Sequence, residues 1–275
     1  MKLAISNIAW DADQDGDVAA ILNELHVPGV EIAPTKVWPN PLEAGTAEIR
    51  RYREFWENRG IRIVAMQALL FGRGDLTIFD DDERRAATLD YLSGIVRLAQ
   101  QLGAGALVFG SPKNRKVGNL PAPQARKVAV DFFSKLGDIA HRHDTAVCIE
   151  PNPVEYGCDF INNSEEAVAL VEEIGNPGFR VHIDAGALAM NHEDPELAIP
   201  RALPLTHHYH ISEPHLVPIG TTGMDHGACA RVLARLRYPH WVSIEMRKPE
   251  TRVLETIADA LRRSLDGYSP LFATQ

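Results

Sequence analysis

Short runs rich in β-branched and other apolar residues alternate with longer amphipathic stretches through the whole of this chain, and its 275 residues hold eight such pairs. A strand can be followed by a parallel neighbour only through a crossover connection, so this alternation predicts a parallel sheet covered by helices. The strands are expected at Leu3–Trp10, Gly29–Pro34, Ile61–Leu69, Ala104–Gly110, Ala146–Glu150, Phe179–Asp184, Leu205–Ser212 and Trp241–Met246. The helices are expected at Asp15–His26, Pro41–Gly60, Asp80–Leu102, Pro123–His143, Ser164–Ile174, Pro195–Arg201, Asp225–Leu236 and Glu250–Leu265. Local signals agree: Ser164 with Glu165 and Glu166, and the run Asp80 to Asp82, put capping or acidic residues at helix starts, where the helix dipole favours them. Eight units in a chain of this length predict a single (β/α)8 barrel, one domain over residues 1–275, rather than an open sheet. No Gly-x-Gly-x-x-Gly follows the first strand, which removes the main signal for a dinucleotide-binding open sheet.

Composition narrows the partners. An apolar fraction of 45% with 24% charged residues is enough to build a folded core. The formal charge of −9 works against nonspecific nucleic-acid binding, which depends on Lys and Arg replacing phosphate counterions. A small-molecule ligand and no nucleic-acid partner are therefore expected. Cys148, Cys158 and Cys229 form no CxxC pair and cannot all be joined within one chain, so reduced thiols are expected rather than a disulfide framework or a zinc ribbon. Residues 1–10 lack a basic start, an apolar core and a small-residue cleavage site, and no apolar run approaches the ~20 residues of a membrane span. No membrane partner and a cytoplasmic location are the expectation.

A (β/α)8 barrel places its chemistry at the C-terminal ends of the strands, so polar residues finishing apolar strands are the ones to weigh. Glu150 ends AVCIE, Asp184 ends FRVHID, His210 lies in HHYHIS and Glu245 in WVSIE, on strands five to eight. Adjacent strands lie ~4.8 Å apart, so residues at matching heights can share one volume. Three carboxylates converging there repel one another unless a cation neutralises them. Three oxygen ligands and one imidazole suit one divalent ion, Mn²⁺, Mg²⁺, Co²⁺ or Zn²⁺, and the absence of thiolate gives no push toward zinc.

With these residues in place, the sequence resembles the xylose isomerase-like barrels, a family that includes sugar 3-epimerases, hydroxypyruvate isomerases, inosose-processing enzymes and apurinic-site endonucleases. Glu150, Asp184, His210 and Glu245 match, in type and order, the metal ligands of the epimerase branch, and HISEPHLVPIG (residues 210–220) is similar to the family's strand-seven motif. The resemblance implies a metal-dependent isomerase or epimerase of a sugar, sugar acid or inositol-like hydroxy-carbonyl compound, working through an enediolate with Glu150 and Glu245 as acid and base. It also brings homo-oligomers, common among relatives, into view. One position departs from the family. Many relatives read Asp-x-x-His on strand six, whereas DAGALAMN puts Ala187 where that His would stand. A dehydratase or lyase on the same scaffold, an apurinic-site endonuclease and a non-catalytic metal-binding barrel are the rival readings.

Other polar residues fall in the same loops. Arg247 follows Glu245 by two and shares its facing if the strand continues, which suits recognition of a substrate anion, with Lys113 and Arg115 of GSPKNR as collaborators. Glu155 and His215 are assigned with them to substrate binding. His182 and His208 raise the question of further inward histidines; His208, which shares strand parity with His210, is read as a hydrogen-bonded core histidine, and Trp10, Trp38 and Phe71 as rim residues that pack on a sugar ring or cover the cleft.

Overall fold

A computed structural model describes residues 2–273. Eight parallel strands close into a barrel in sequence order: β1 (Leu3–Ser6), β2 (Gly29–Ile32), β3 (Arg62–Met66), β4 (Ala106–Phe109), β5 (Ala146–Ile149), β6 (Phe179–Asp184), β7 (Thr206–Ser212) and β8 (Val242–Glu245). Pairing of β1 with β8 closes the ring. The main crossover helices run over Asp15–Glu24, Thr46–Glu57, Asp82–Leu102, Ala122–Arg142, Ser164–Ile174, Pro195–Ala202 and His226–Arg235, and Val253–Gly267 follows the last strand. The expected alternation is thus present throughout. Among the described residues no helix is long and apolar enough to cross a membrane, and the three cysteines are free and buried.

The helix ends follow their capping chemistry. Asp81 accepts a hydrogen bond from the Arg84 amide at the start of Asp82–Leu102, and Gly103 stops that helix in the left-handed conformation (φ 79°) that glycine tolerates best. Asn163, not Ser164, caps the Ser164–Ile174 helix, and the Ser164 hydroxyl binds Glu193 instead. The first strand is shorter than the alternation suggested. It ends at Ser6, the chain turns through Asn7–Ala9, and the Asn7 side-chain oxygen accepts from the Ala33 amide, tying the ends of β1 and β2 together.

Outside the barrel, apolar strand faces pack against the helices. Phe133 stacks on Phe179 of β6 (centroids 4.7 Å apart) and meets Phe109 of β4 edge-on. Inside, small side chains fill the lower layer: Ala4, Val64, Ala106, Ala146 and Cys148, with Trp241 packed against them. Above them the inward positions become polar, and a register shift between Val181 and His182 aligns His182 with His208 and Asp184 with His210 across β6 and β7. Bulges of this kind re-aim side chains beside functional sites. Here it brings one strand's acid level with the next strand's imidazole.

Candidate metal centre

Asp184 is the last residue of β6 and also the cap of a six-residue helix, Ala185–Met190. Its Oδ1 accepts from the Ala187 amide at 2.6 Å, and its Oδ2 accepts a short hydrogen bond from the Ser212 hydroxyl. Gly186 makes this turn possible: a Cβ there would sit 2.8 Å from the Glu213 carbonyl carbon. Ser212 also accepts from the Gly186 amide at 2.9 Å, so the ends of β6 and β7 hold Asp184 in one orientation.

Glu150 follows β5 directly. Its carbonyl accepts from Arg115 Nη2 at 2.7 Å, and its carboxylate accepts from Asn152 Nδ2 at 3.3 Å. The carboxylate lies over Gly110 so closely that a Cβ there would come within 2.2 Å of Oε2. Glu245 ends β8, and its Oε2 lies 3.1 Å from His210 Nδ1. Nδ1 also lies 3.9 Å from Asp184 Oδ2. The four residues singled out from the sequence therefore gather at one end of the barrel.

Two further side chains belong to this constellation. His182, two residues before Asp184 and inward by the same strand parity, is fully buried with both ring nitrogens lacking a hydrogen-bond partner. Its Nε2 is 3.7 Å from Glu150 Oε1, and one donor atom each from Glu150, His182, Asp184 and His210 falls within 4.8 Å of the others. Glu31 of β2, also fully buried, reaches His210 from below, its oxygens 3.1 and 3.0 Å from Nε2. A second triplet, Glu31, His208 and His210, meets the same spacing. The signal for both residues was inward parity in GVEI and FRVHID. His208, read from the sequence as a hydrogen-bonded core histidine, is buried as expected, but its Nε2 stands 3.5 Å from Glu31 without a hydrogen-bond partner.

Electrostatics follow from crowding at the floor of a cleft where little solvent reaches. Burial, reinforced by the charges of Glu245 and Asp184, pushes the Glu150 carboxyl up to about 8. Burial and the Glu245 charge push Asp184 up to about 6. Burial opposes a charged His210 ring, but the carboxylates of Glu31 and Glu245 at its two nitrogens outweigh that and hold its pKa well above the ordinary histidine value. For Glu31 burial opposes ionisation, and the rings of His210 and His208 overcome it, holding the carboxyl well below the usual range. Burial keeps His182 and His208 neutral. Raised carboxyls beside an imidazole whose nitrogens have no partner make a donor set that fits a divalent cation: it relieves the repulsion and uses the orphaned nitrogen.

A cleft of about 390 Å³ opens over these groups, lined by Glu150, Asp184 and Glu245 together with Glu155, Tyr156, Ala187, Leu216 and Arg247. Leu216 belongs to the β7 loop, which is tied down on several sides. Buried Glu213 accepts from the amides of Gly220 and Thr222 and from the Thr222 hydroxyl. The His215 amide donates to the Tyr156 hydroxyl at 2.9 Å, and the Arg247 amide to the Leu216 carbonyl at 2.8 Å. Of the residues expected to meet substrate, Glu155 and Arg247 line the cleft, whereas Lys113 and His215 are exposed outside its lining. Arg115 has no exposed area and is engaged with the Glu150 main chain. Trp10 and Trp38 are core residues, the Trp10 indole donating to Asp15 at 2.7 Å, and Phe71 alone of the three aromatics is exposed.

The model of one protein family, the xylose isomerase-like TIM barrel, matches residues 19–265. No curated protein matches the chain. Several solved structures share the fold. A D-psicose 3-epimerase crystallised in the presence of D-fructose superposes with a TM-score of 0.81 at 17% identity, over 98% of this chain and 99% of that one. The 3-keto-D-glucoside 4-epimerase YcjR from E. coli gives 0.78 at 19% identity, over 95% and 98%. The IolI protein with a bound zinc atom gives 0.75 at 20% identity, over 99% and 100%.

Proposed function

The chain belongs to the xylose isomerase-like TIM-barrel family, and on that footing we propose that it is a divalent-metal-dependent isomerase or epimerase of a hydroxy-carbonyl compound: a sugar, a sugar acid or an inositol-like ring. The observation that carries this reading is the convergence of Glu150, Asp184 and Glu245 on one cleft, with His210 directly behind them. The structural neighbours include sugar epimerases and a zinc-bound relative, which agrees with the reading.

Glu150, Asp184, His210 and Glu245 would hold the ion, Mn²⁺ first among the candidates, with His182 close enough to contribute. When bound, a divalent ion supplies Lewis acidity that lowers the cost of charge on a carbonyl oxygen as the neighbouring C–H proton leaves. The chain's own residues then do the proton work. Glu150 and Glu245 both face the cleft, so one removes the proton from the carbon beside the carbonyl and the other returns a proton to the opposite face or the adjacent carbon. Ligation of a divalent ion keeps both carboxylates deprotonated, which is the state a base needs before it takes the substrate proton. Tyr156 and Leu216 restrict water at the rim, and Arg247 and Glu155 meet the far end of the substrate. Ala187, in place of the histidine many relatives carry, leaves open volume beside Asp184 for a substituent of the substrate.

The test is a panel of ketoses, sugar acids and inososes, with abasic-site DNA alongside, assayed with and without a chelator. Metal-restored interconversion of a hydroxy-carbonyl compound, with one ion per chain, is the expected result. Cleavage of the DNA with no conversion of any sugar, and three ions per chain, would replace this reading with a nuclease.

A further inference from the structure

Glu31 stands on β2, with β1 and β8 between it and β7, so its side chain meets His210 only by crossing the barrel interior. It has no exposed area, and burying a carboxylate is costly unless its oxygens are satisfied. Both oxygens lie at hydrogen-bond distance from His210 Nε2, 3.1 and 3.0 Å, and Oε1 lies 3.5 Å from His208 Nε2. The other nitrogen of His210, Nδ1, faces Glu245 at 3.1 Å and Asp184 at 3.9 Å. The two nitrogens of one ring therefore point to different places, one into the cleft cluster and one down onto Glu31.

An ionised carboxylate can only accept, so a nitrogen held against it carries its hydrogen. Nδ1 faces a carboxylate too, but among the cleft acids Glu245 and Asp184, so once a cation replaces the hydrogen there the neutral ring has its lone pair on Nδ1 and keeps its hydrogen on Nε2 against Glu31. We infer that Glu31 is the positioning residue of the metal centre: it fixes the orientation and tautomer of the His210 ring so that Nδ1, and not Nε2, is presented to a divalent cation. The carboxylate also makes the ring a stronger donor, which a glutamine of the same shape does less well. His208 closes the arrangement from the other side, its Nε2 turned to the same carboxylate. Glu31 lies beneath the cleft without lining it, so its role is exerted through His210.

The inference rests on the metal-centre reading of the cleft, and Zn²⁺ serves as a diamagnetic probe of both. Zn²⁺ affinity is measured by competition with a chelating dye for the natural sequence and for Glu31→Gln, with zinc stoichiometry for each. The His210 ring is read by ¹⁵N-histidine NMR of the zinc-loaded natural protein. Expected are a metal-shifted Nδ1, an Nε2 that carries hydrogen, and an affinity about tenfold weaker in Glu31→Gln. Zinc on Nε2 would overturn the inference, as would a Glu31→Gln affinity within about twofold of the natural one. So would two zinc ions per natural chain falling to one in Glu31→Gln, since Glu31 would then be a ligand in its own right. If Glu31→Gln does not fold, the NMR result alone decides between these outcomes. Absence of zinc uptake by the natural protein would overturn the metal centre itself, whereas uptake unaffected by Glu31→Gln overturns only the role given to Glu31.

Discussion

Loading the metal-free protein with Mn²⁺ should expel protons, and the structure sets how many. Ligands bind a cation deprotonated. With its carboxyl near 8, Glu150 is about nine-tenths protonated at pH 7, and Asp184, near 6, about one-tenth. His210, held well above its ordinary value, carries a second ring proton that must leave Nδ1 when a cation takes that atom, while the Nε2 proton stays on Glu31. The release is thus about two protons per ion at pH 7, and by linkage affinity rises about 100-fold per pH unit there. The sign follows from the direction of all three shifts: each group is more protonated in the metal-free fold than an ordinary group would be, so raising pH removes the competitor and strengthens binding. The slope should steepen below pH 6, where Asp184 also holds its proton, and flatten above pH 8, where Glu150 has already lost its own. Titration calorimetry in buffers of different ionisation enthalpy counts the protons directly. Affinity independent of pH, or proton uptake on binding, would refute the reasoning.

Other changes probe single contacts. Gly110→Ala places a methyl group 2.2 Å from the present position of Glu150 Oε2, at a residue whose backbone makes no special demand for glycine. It should lower metal affinity about tenfold or more while leaving the far-ultraviolet circular dichroism unchanged, and unchanged affinity would show that Glu150 needs no space there. Ser212→Ala removes the donor to Asp184 and the acceptor of the Gly186 amide, so metal affinity should fall about tenfold and chemical denaturation should show a loss of about 1–3 kcal/mol. Arg247→Ala should weaken an anionic substrate by about 2 kcal/mol more than an uncharged analogue in KM or Kd, and equal losses would remove Arg247 from anion recognition.

Much of this arrangement was legible in the sequence because barrel folds translate order into position. Alternation gave the eight strands, and an acid at the end of an apolar strand can only stand at the barrel mouth, which located Glu150, Asp184 and Glu245. What stayed hidden depended on registers and loop paths. Strand parity marks Glu31 as inward, but only the closed ring brings β2 within reach of a β7 histidine. The register shift at Val181–His182 sets which histidine lies beside which acid, and periodicity cannot show a bulge. Arg115 reads in GSPKNR as a loop cation free to meet substrate, yet the turn over Pro112–Arg115 folds it inward onto the Glu150 carbonyl. Trp10 lies just past the short first strand, where the chain has already turned and the indole has found Asp15.

The proton-transfer role of Glu150 and Glu245 is most directly tested by turnover in D2O with a substrate drawn from the panel above. A carboxylate base in a cleft open to water exchanges the proton it holds before returning one, so deuterium should enter at the carbon next to the carbonyl and nowhere else. Removing the metal should abolish the label, and Glu150→Gln or Glu245→Gln should suppress turnover together with labelling. Turnover that never introduces deuterium, at any pH and however slow, would mean that hydrogen moves between carbons without passing through a carboxylate, and would contradict the role assigned to these two residues.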